Sequence, residues 1–194
     1  MTVSLSKGQK VSLSKADPNL KKVRLGLGWK PRATDGKPFD LDASVFLLTA
    51  DGKVRDDKDF IFYGNLASID GSVKHSGDNR DGLGEGDDES VTCSLTVLAS
   101  AVQRIVVAVT IHDAPARGQN FGQVGGAYIA LYNEETNAEL FRYDLAEDYS
   151  TETAMLFGEV YRNAAEWKFT AIGQGYAGGL LAICKQFGID ASET

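Results

Sequence analysis

A chain of 194 residues with 43% hydrophobic residues and a net charge of -7 is long enough for one well-buried domain and too apolar for a disordered acidic tail. Carboxylates outnumber basic groups and no basic stripe survives beyond Lys7 with Lys10 and Lys21, Lys22 with Arg24, so direct nucleic-acid binding is not expected and cations or basic partners are favoured. No run reaches the roughly 18 apolar residues of a spanning helix, and the first residues lack the apolar core of a signal peptide, so the expected setting is cytoplasmic.

In chain order, Val23, Leu25, Leu27 and Trp29 alternate with Arg24, Gly26 and Gly28, the period of a half-buried strand. Residues 43–48 make a second strand that runs into the turn signal Asp51-Gly52, and the short apolar run 60–63 follows. From residue 65 to 89 the apolar residues thin out to Leu66, Ile69, Val73 and Leu83, while glycine and aspartate dominate. Structureless stretches of that length are uncommon unless functional, so something other than a packed core is expected to hold this one. Residues 89–95 and 105–111 have the composition of central strands, linked by a helical turn around Leu98 to Val102. A second polar stretch, 113–126, includes the amide-rich Arg117, Gln119 and Asn120, which suit a hydrogen-bonded turn or a partner surface. Residues 127–132 and 140–145 then form a hairpin across 133–137, and 154–162 fit strand or helix. Trp167, Phe169 and Ala171 alternate as a further strand, and Leu180, Leu181, Cys184 and Phe187 recur at near-helical spacing. The succession predicts an all-β fold over residues 1–194, a single two-sheet antiparallel β-sandwich with a short C-terminal helix and long acidic loops.

The densest chemistry lies in Gly77-Asp78-Asn79-Arg80-Asp81-Gly82-Leu83-Gly84-Glu85-Gly86-Asp87-Asp88-Glu89. Carboxylates crowded into a folded loop repel one another, and a hard cation held by their oxygens removes the repulsion. Ca²⁺ tolerates irregular oxygen shells and suits such a loop better than Mg²⁺. An EF-hand is excluded, because Leu83 occupies the position that needs glycine and no helices flank the segment. Asp40 and Asp42 lie two apart at the start of a strand and therefore share a face, so one ion between them and the loop would unite both. Glu147, Asp148 and Glu152 are candidates to lend oxygens to a second ion, whereas Asp35, Asp51 and Asp57 read as solvent-facing turn residues. No GxSxG, HExxH, phosphate-cradling or CxxC motif is present, so no reaction class is indicated and no enzyme is expected. Cys93 and Cys184 read as small buried hydrophobes, and His112 as a structural histidine at a sheet end.

Several segments together carry a family resemblance. They are Phe39-Asp40-Leu41-Asp42-Ala43, Gly77-Asp78-Asn79, Gly86-Asp87-Asp88-Glu89, Val109-Thr110-Ile111-His112-Asp113-Ala114 and Gln119-Asn120-Phe121-Gly122-Gln123-Val124. With Glu166-Trp167-Lys168-Phe169 and Gly173-Gln174-Gly175-Tyr176 added, the chain resembles the TerD family of bacterial tellurium-resistance and general stress proteins over nearly its whole length. The resemblance implies a Ca²⁺-binding β-sandwich with two ions near the acidic loops. It puts Asp40, Asp42, Asp78, Asn79, Gly84, Asp87, Asp88 and Glu89 in or beside the ion sites, Gly84 through its carbonyl. It further implies a part in tellurite resistance and stress response beside other stress and tellurium-resistance proteins, some of them membrane-associated, and the first reading is a non-catalytic interaction module whose binding face Ca²⁺ orders. The alternative is a metal-dependent hydrolase or a tellurite-transforming enzyme, against which Cys93 and Cys184 offer no redox pair. The chain departs from the family at Lys30, where an aspartate is common, and at Arg80-Asp81, where threonine is commoner before Gly82.

Overall fold

The structure, a computed structural model, describes residues 2–31, 36–83, 86–145 and 151–190. Two six-stranded sheets form the fold. The first runs, in spatial order, β1 (Val3–Ser4), β10 (Ala138–Asp144), β9 (Tyr128–Asn133), β3 (Lys22–Gly28), β7 (Glu89–Ser94) and β6 (Val73–His75). The second runs β2 (Lys10–Ser12), β12 (Glu166–Tyr176), β11 (Ala154–Asn163), β8 (Arg104–Ile111), β4 (Leu41–Leu48) and β5 (Phe60–Ile61). Every pairing between these strands is antiparallel except that of β1 with β10. Among the described residues three α-helices accompany them: α1 (Leu13–Ala16), α2 (Ala114–Arg117) and α3 (Gly179–Phe187).

The sandwich closes because alternate residues of both sheets are apolar and meet in one core. Val23, Leu25 and Leu27 of β3, Val91 and Cys93 of β7, and Ile129 and Leu131 of β9 pack with Leu41, Val45 and Leu47 of β4 and Ile105, Val107 and Val109 of β8. The second sheet is covered on its other face too. Phe46, Leu48, Val106, Ala108 and Leu156 form a second cluster with Ile183, Cys184 and Phe187 of α3. Burial on both faces is why β4 and β8 read as almost unbroken apolar runs. It also makes the two polar residues at the far end of that face, Asp42 and Ser44, stand out.

Several local expectations needed adjustment. Residues 154–162 form strand, because both edges of β11 are taken up by β8 and β12. The run 60–63 shortens to the two-residue β5. Leu98 makes a single helix-like bond to Ser94 O at 3.1 Å within a run of turns. β1, β2 and α1 were not visible in the hydropathy pattern.

The polar stretch after residue 65 divides into two parts. Its first half is anchored by protein, since Val73 is fully buried and β6 pairs with β7. Ser68 and Ser72 are buried as well, with Ser68 N bonded to Val73 O at 3.0 Å and Ser72 N to Asp70 Oδ1 at 2.9 Å. A packed core therefore does hold residues 65–76, contrary to the expectation for the whole stretch. Truncating that anchor, Val73→Ala, should cost about 2 kcal/mol from lost burial and the cavity left behind. Denaturant melts would measure it, and amide exchange should quicken at 65–76 while the central strands β4 and β8 stay protected.

Candidate metal centre

Asp40 immediately precedes β4 and Asp42 is its second residue, on the side opposite the inward Leu41 and Ala43. Both are buried, Asp40 to 5% and Asp42 to 7% exposure. Their backbone is fixed by β8, where Asp42 sits opposite Thr110 and His112 N bonds Asp40 O at 2.8 Å. Asp78 reaches them from the loop that follows β6. One carboxylate oxygen from each of Asp40, Asp42 and Asp78 lies within 4.8 Å of the other two, the one such acidic group found among the described residues. The three border a cavity of about 180 Å³ whose remaining walls are Tyr63, Arg80, His112 and Arg117. Arg117 Nη2 bonds Asp40 Oδ2 at 3.3 Å, Arg80 Nε bonds Asp78 Oδ2 at 2.8 Å, and His112 Nδ1 lies 3.8 Å from Asp42 Oδ2.

Burial pushes the Asp42 carboxyl up to about 7, and the neighbouring Asp40 and Asp78 push the same way while His112 and Arg117 oppose. Burial raises Asp40 also. Behind them, Glu89 is 1% exposed and points into the sandwich. Its Oε2 accepts from Ala43 N at 2.7 Å and its Oε1 from Asn79 N at 3.1 Å. Those bonds favour the charged form, but burial outweighs them and raises Glu89 to about 8. Burial lowers His75, which is therefore neutral. Its Nε2 lies 2.9 Å from Ala43 O and its Nδ1 accepts from Gly77 N at 3.0 Å, so the proton belongs on Nε2.

The eight residues singled out by sequence do not share one place. Asp40, Asp42 and Asp78 converge. Asn79 folds the loop upon itself, its Oδ1 accepting from Gly82 N at 3.1 Å and its Nδ2 donating to Asp88 Oδ1 at 3.4 Å. Asp88 Oδ2 accepts from Trp29 N at 3.0 Å. Asp87 turns to the outer face of the first sheet, paired with Arg24 and accepting from the hydroxyls of Tyr128 and Tyr132 at 3.1 Å each. It lies over Gly26, where a Cβ would collide with its carboxylate. Gly84 lies outside the described residues, as do Asp35, Glu147 and Asp148. Sequence reasoning did not find the roles of Arg24, Tyr63, Arg117, Tyr128 and Tyr132. For the Asp87 seat a signal existed: Arg24 and Gly26 share a face of β3, and Tyr128 and Tyr132 share a face of β9.

A model of the TerD domain matches residues 1–187. The chain belongs to the TerD domain family. The tellurium resistance protein TerD of Serratia marcescens is 64% identical over 192 residues, covering 99% of this chain and all of that one. General stress protein 16U of Bacillus subtilis is 56% identical over 190 residues, 97% of this chain and 98% of that one. Among solved structures, a homologue of the telluride resistance protein TerD from Streptomyces coelicolor superposes with a TM-score of 0.70 at 23% identity, covering 90% of this chain and all of that one. That likeness supports the TerD fold seen here.

The raised carboxyls fix the direction of the pH response. A carboxyl whose folded value lies above its unfolded one keeps a proton that the unfolded chain releases, so ion-free stability should fall as pH rises from about 4 through about 7 for Asp42 and about 8 for Glu89. Thermal melts of chelated protein from about pH 5 to about pH 8.5 should show Tm falling with pH; a Tm that rises across the window would contradict the assignment.

Proposed function

We propose that this chain is a Ca²⁺-binding protein of tellurite resistance and stress response that acts as a cytoplasmic, non-catalytic interaction module. The observation that carries the ion is the Asp40–Asp42–Asp78 group. Oxygens bound to Ca²⁺ at about 2.3–2.6 Å stand at most about 5 Å apart; the separations within 4.8 Å therefore let one ion be gripped by all three with the backbone where it is. The donors are hard oxygens, two of the three carboxylates are buried, and the cavity leaves room for water to complete a shell of 6–8. Bound Ca²⁺ would supply the positive charge that these side chains lack. A second ion, as the resemblance implies, would draw on Asp88, whose carboxyl is raised by burial and then by the like charges of Asp87 and Asp81.

The names of the relatives, tellurium resistance protein and general stress protein, support the biological setting. Two features favour an interaction role over chemistry. Both cysteines are free and buried, and burial pushes their thiols up to about 12 at Cys93 and about 11 at Cys184, which removes the thiolate that tellurite reduction would need. Tyr63, Leu66 and Ile69 expose large apolar surface on the segment after β5, whose Tyr63 also walls the acidic cavity. Binding of Ca²⁺ would thus be felt at a surface suited to other stress and tellurium-resistance proteins, including membrane-associated ones. No helix among the described residues is long and apolar enough to cross a membrane.

Calorimetric titration tests the ion reading. Asp42→Asn and Asp78→Asn should each weaken Ca²⁺ binding at least about tenfold, equivalent to about 1.4 kcal/mol, whereas Asp57→Asn should leave it unchanged. Cells that depend on this chain for growth on tellurite should be rescued by Asp57→Asn and not by Asp42→Asn. Equal affinities across the variants would rule the assignment out.

A further inference from the structure

Beside the acidic cavity, on the outer face of the second sheet, lies a cleft of about 350 Å³. The two share Asp42, Tyr63 and His112. Ser44 follows Asp42 by two residues on β4 and so faces the same side. It is 2% exposed, it lines the cleft, and its hydroxyl has no hydrogen-bond partner. A buried hydroxyl left without a partner carries a desolvation cost that a ligand oxygen would relieve.

The opposite wall is the beginning of α3. Gly178, Gly179 and Leu180 line the cleft, and no side chain caps the first turn of this helix. Its first N–H groups, at the positive end of the helix dipole, are therefore donors in want of an acceptor. Thr153 adds a hydroxyl there, since a Cβ built on Gly179 would lie 3.6 Å from Thr153 Oγ1. The donors thus come from three parts of the chain, the middle of β4, the residue before β11 and the start of α3, and meet across one cleft.

Charge decides what they would accept. Around the cleft and the neighbouring cavity, four carboxylates, Asp40, Asp42, Asp78 and Asp113, face two guanidiniums, Arg80 and Arg117, leaving two formal negative charges that repel anions. A divalent cation on the carboxylates cancels both. We propose that the Ca²⁺-loaded protein binds a small oxyanion in this cleft, with the Ser44 hydroxyl, the Thr153 hydroxyl and the first N–H groups of α3 as its donors. This rests on the Ca²⁺ reading, and it deepens that reading: the ion would turn a site that repels anions into one that accepts them. The oxyanion would be the carboxylate of an organic acid or an inorganic oxoanion, which share this chemistry.

Amide chemical shifts of the full-length, nitrogen-labelled protein test both steps in one sample. Adding Ca²⁺ should move the amides of Asp40, Asp42 and Asp78. Sulfate and, in a parallel titration, acetate should then give saturable shifts at Ser44, Thr153 and residues 179–181, and none in chelated protein. The anion that binds more tightly identifies the source, and either one supports the proposal. Ser44→Ala should weaken anion binding about tenfold, the loss of one hydrogen bond to a charged group, with Ca²⁺ affinity unchanged; Thr153→Val should act in the same direction. If Ca²⁺ binds normally but neither anion moves these amides, or if Ser44→Ala and Thr153→Val respond as the parent does, the cleft is no anion site and the Ca²⁺ reading stands. If Ca²⁺ itself produces no shifts, both fall.

Discussion

β5 pairs with β4 only at Val45 and Phe46, so the peptide of Ala43, two residues earlier, has no strand beside it on that edge. The other sheet supplies what is missing. Glu89 of β7 accepts from Ala43 N, and His75 of β6 donates to Ala43 O. Two buried polar side chains thereby replace a strand and clamp the two sheets together at one end. Because Glu89 also accepts from Asn79 N, and His75 from Gly77 N, the same clamp fixes where the loop after β6 departs. Asp78 lies between those two anchored residues. The position of its carboxylate beside Asp40 and Asp42 follows from a backbone bonded on either side of it.

This clamp explains why like charges can be gathered without a helix or a continuous loop motif. Asp40 and Asp42 are held by strand pairing to β8, and the loop is held by β6, β7 and the seat of Asp87 on Arg24, Tyr128 and Tyr132. The carboxylates themselves contribute nothing favourable to the arrangement until something neutralises them. Protons do so at low pH, Arg80 and Arg117 do so in part, and a divalent cation would do so with the strongest local field. Site and fold are therefore built from different interactions. Emptying the site should loosen the acidic end and leave the sandwich core intact, unlike a zinc finger, whose core depends on its metal.

The sandwich was legible because period-two patterns such as Val23, Leu25, Leu27 and Trp29 survive wherever one face meets the core. The pairing of Asp40 with Asp42 was legible for the same reason. Three consecutive acids, Asp87, Asp88 and Glu89, were not separable by density alone. As the chain enters β7 they take three directions, to the outer face of the first sheet, to Trp29 N and into the core. Their partners, Arg24, Trp29 and Ala43, come from distant parts of the chain, so spacing carries no record of them. The short β6 was hidden by length, because Val73 alone marks it as buried among polar neighbours. The role of Arg117 was hidden because its carboxylate partner, Asp40, lies far away in the sequence.

A crystal structure of the protein grown with Ca²⁺ tests the central claim most directly, using anomalous scattering to locate the ion. The account predicts a peak enclosed by carboxylate oxygens of Asp40, Asp42 and Asp78, with Ca–O distances of about 2.3–2.6 Å. Density for Arg80 and Arg117 lying between those carboxylates, with no ion at saturating Ca²⁺, would contradict it and make the acidic group an internal salt-bridge network.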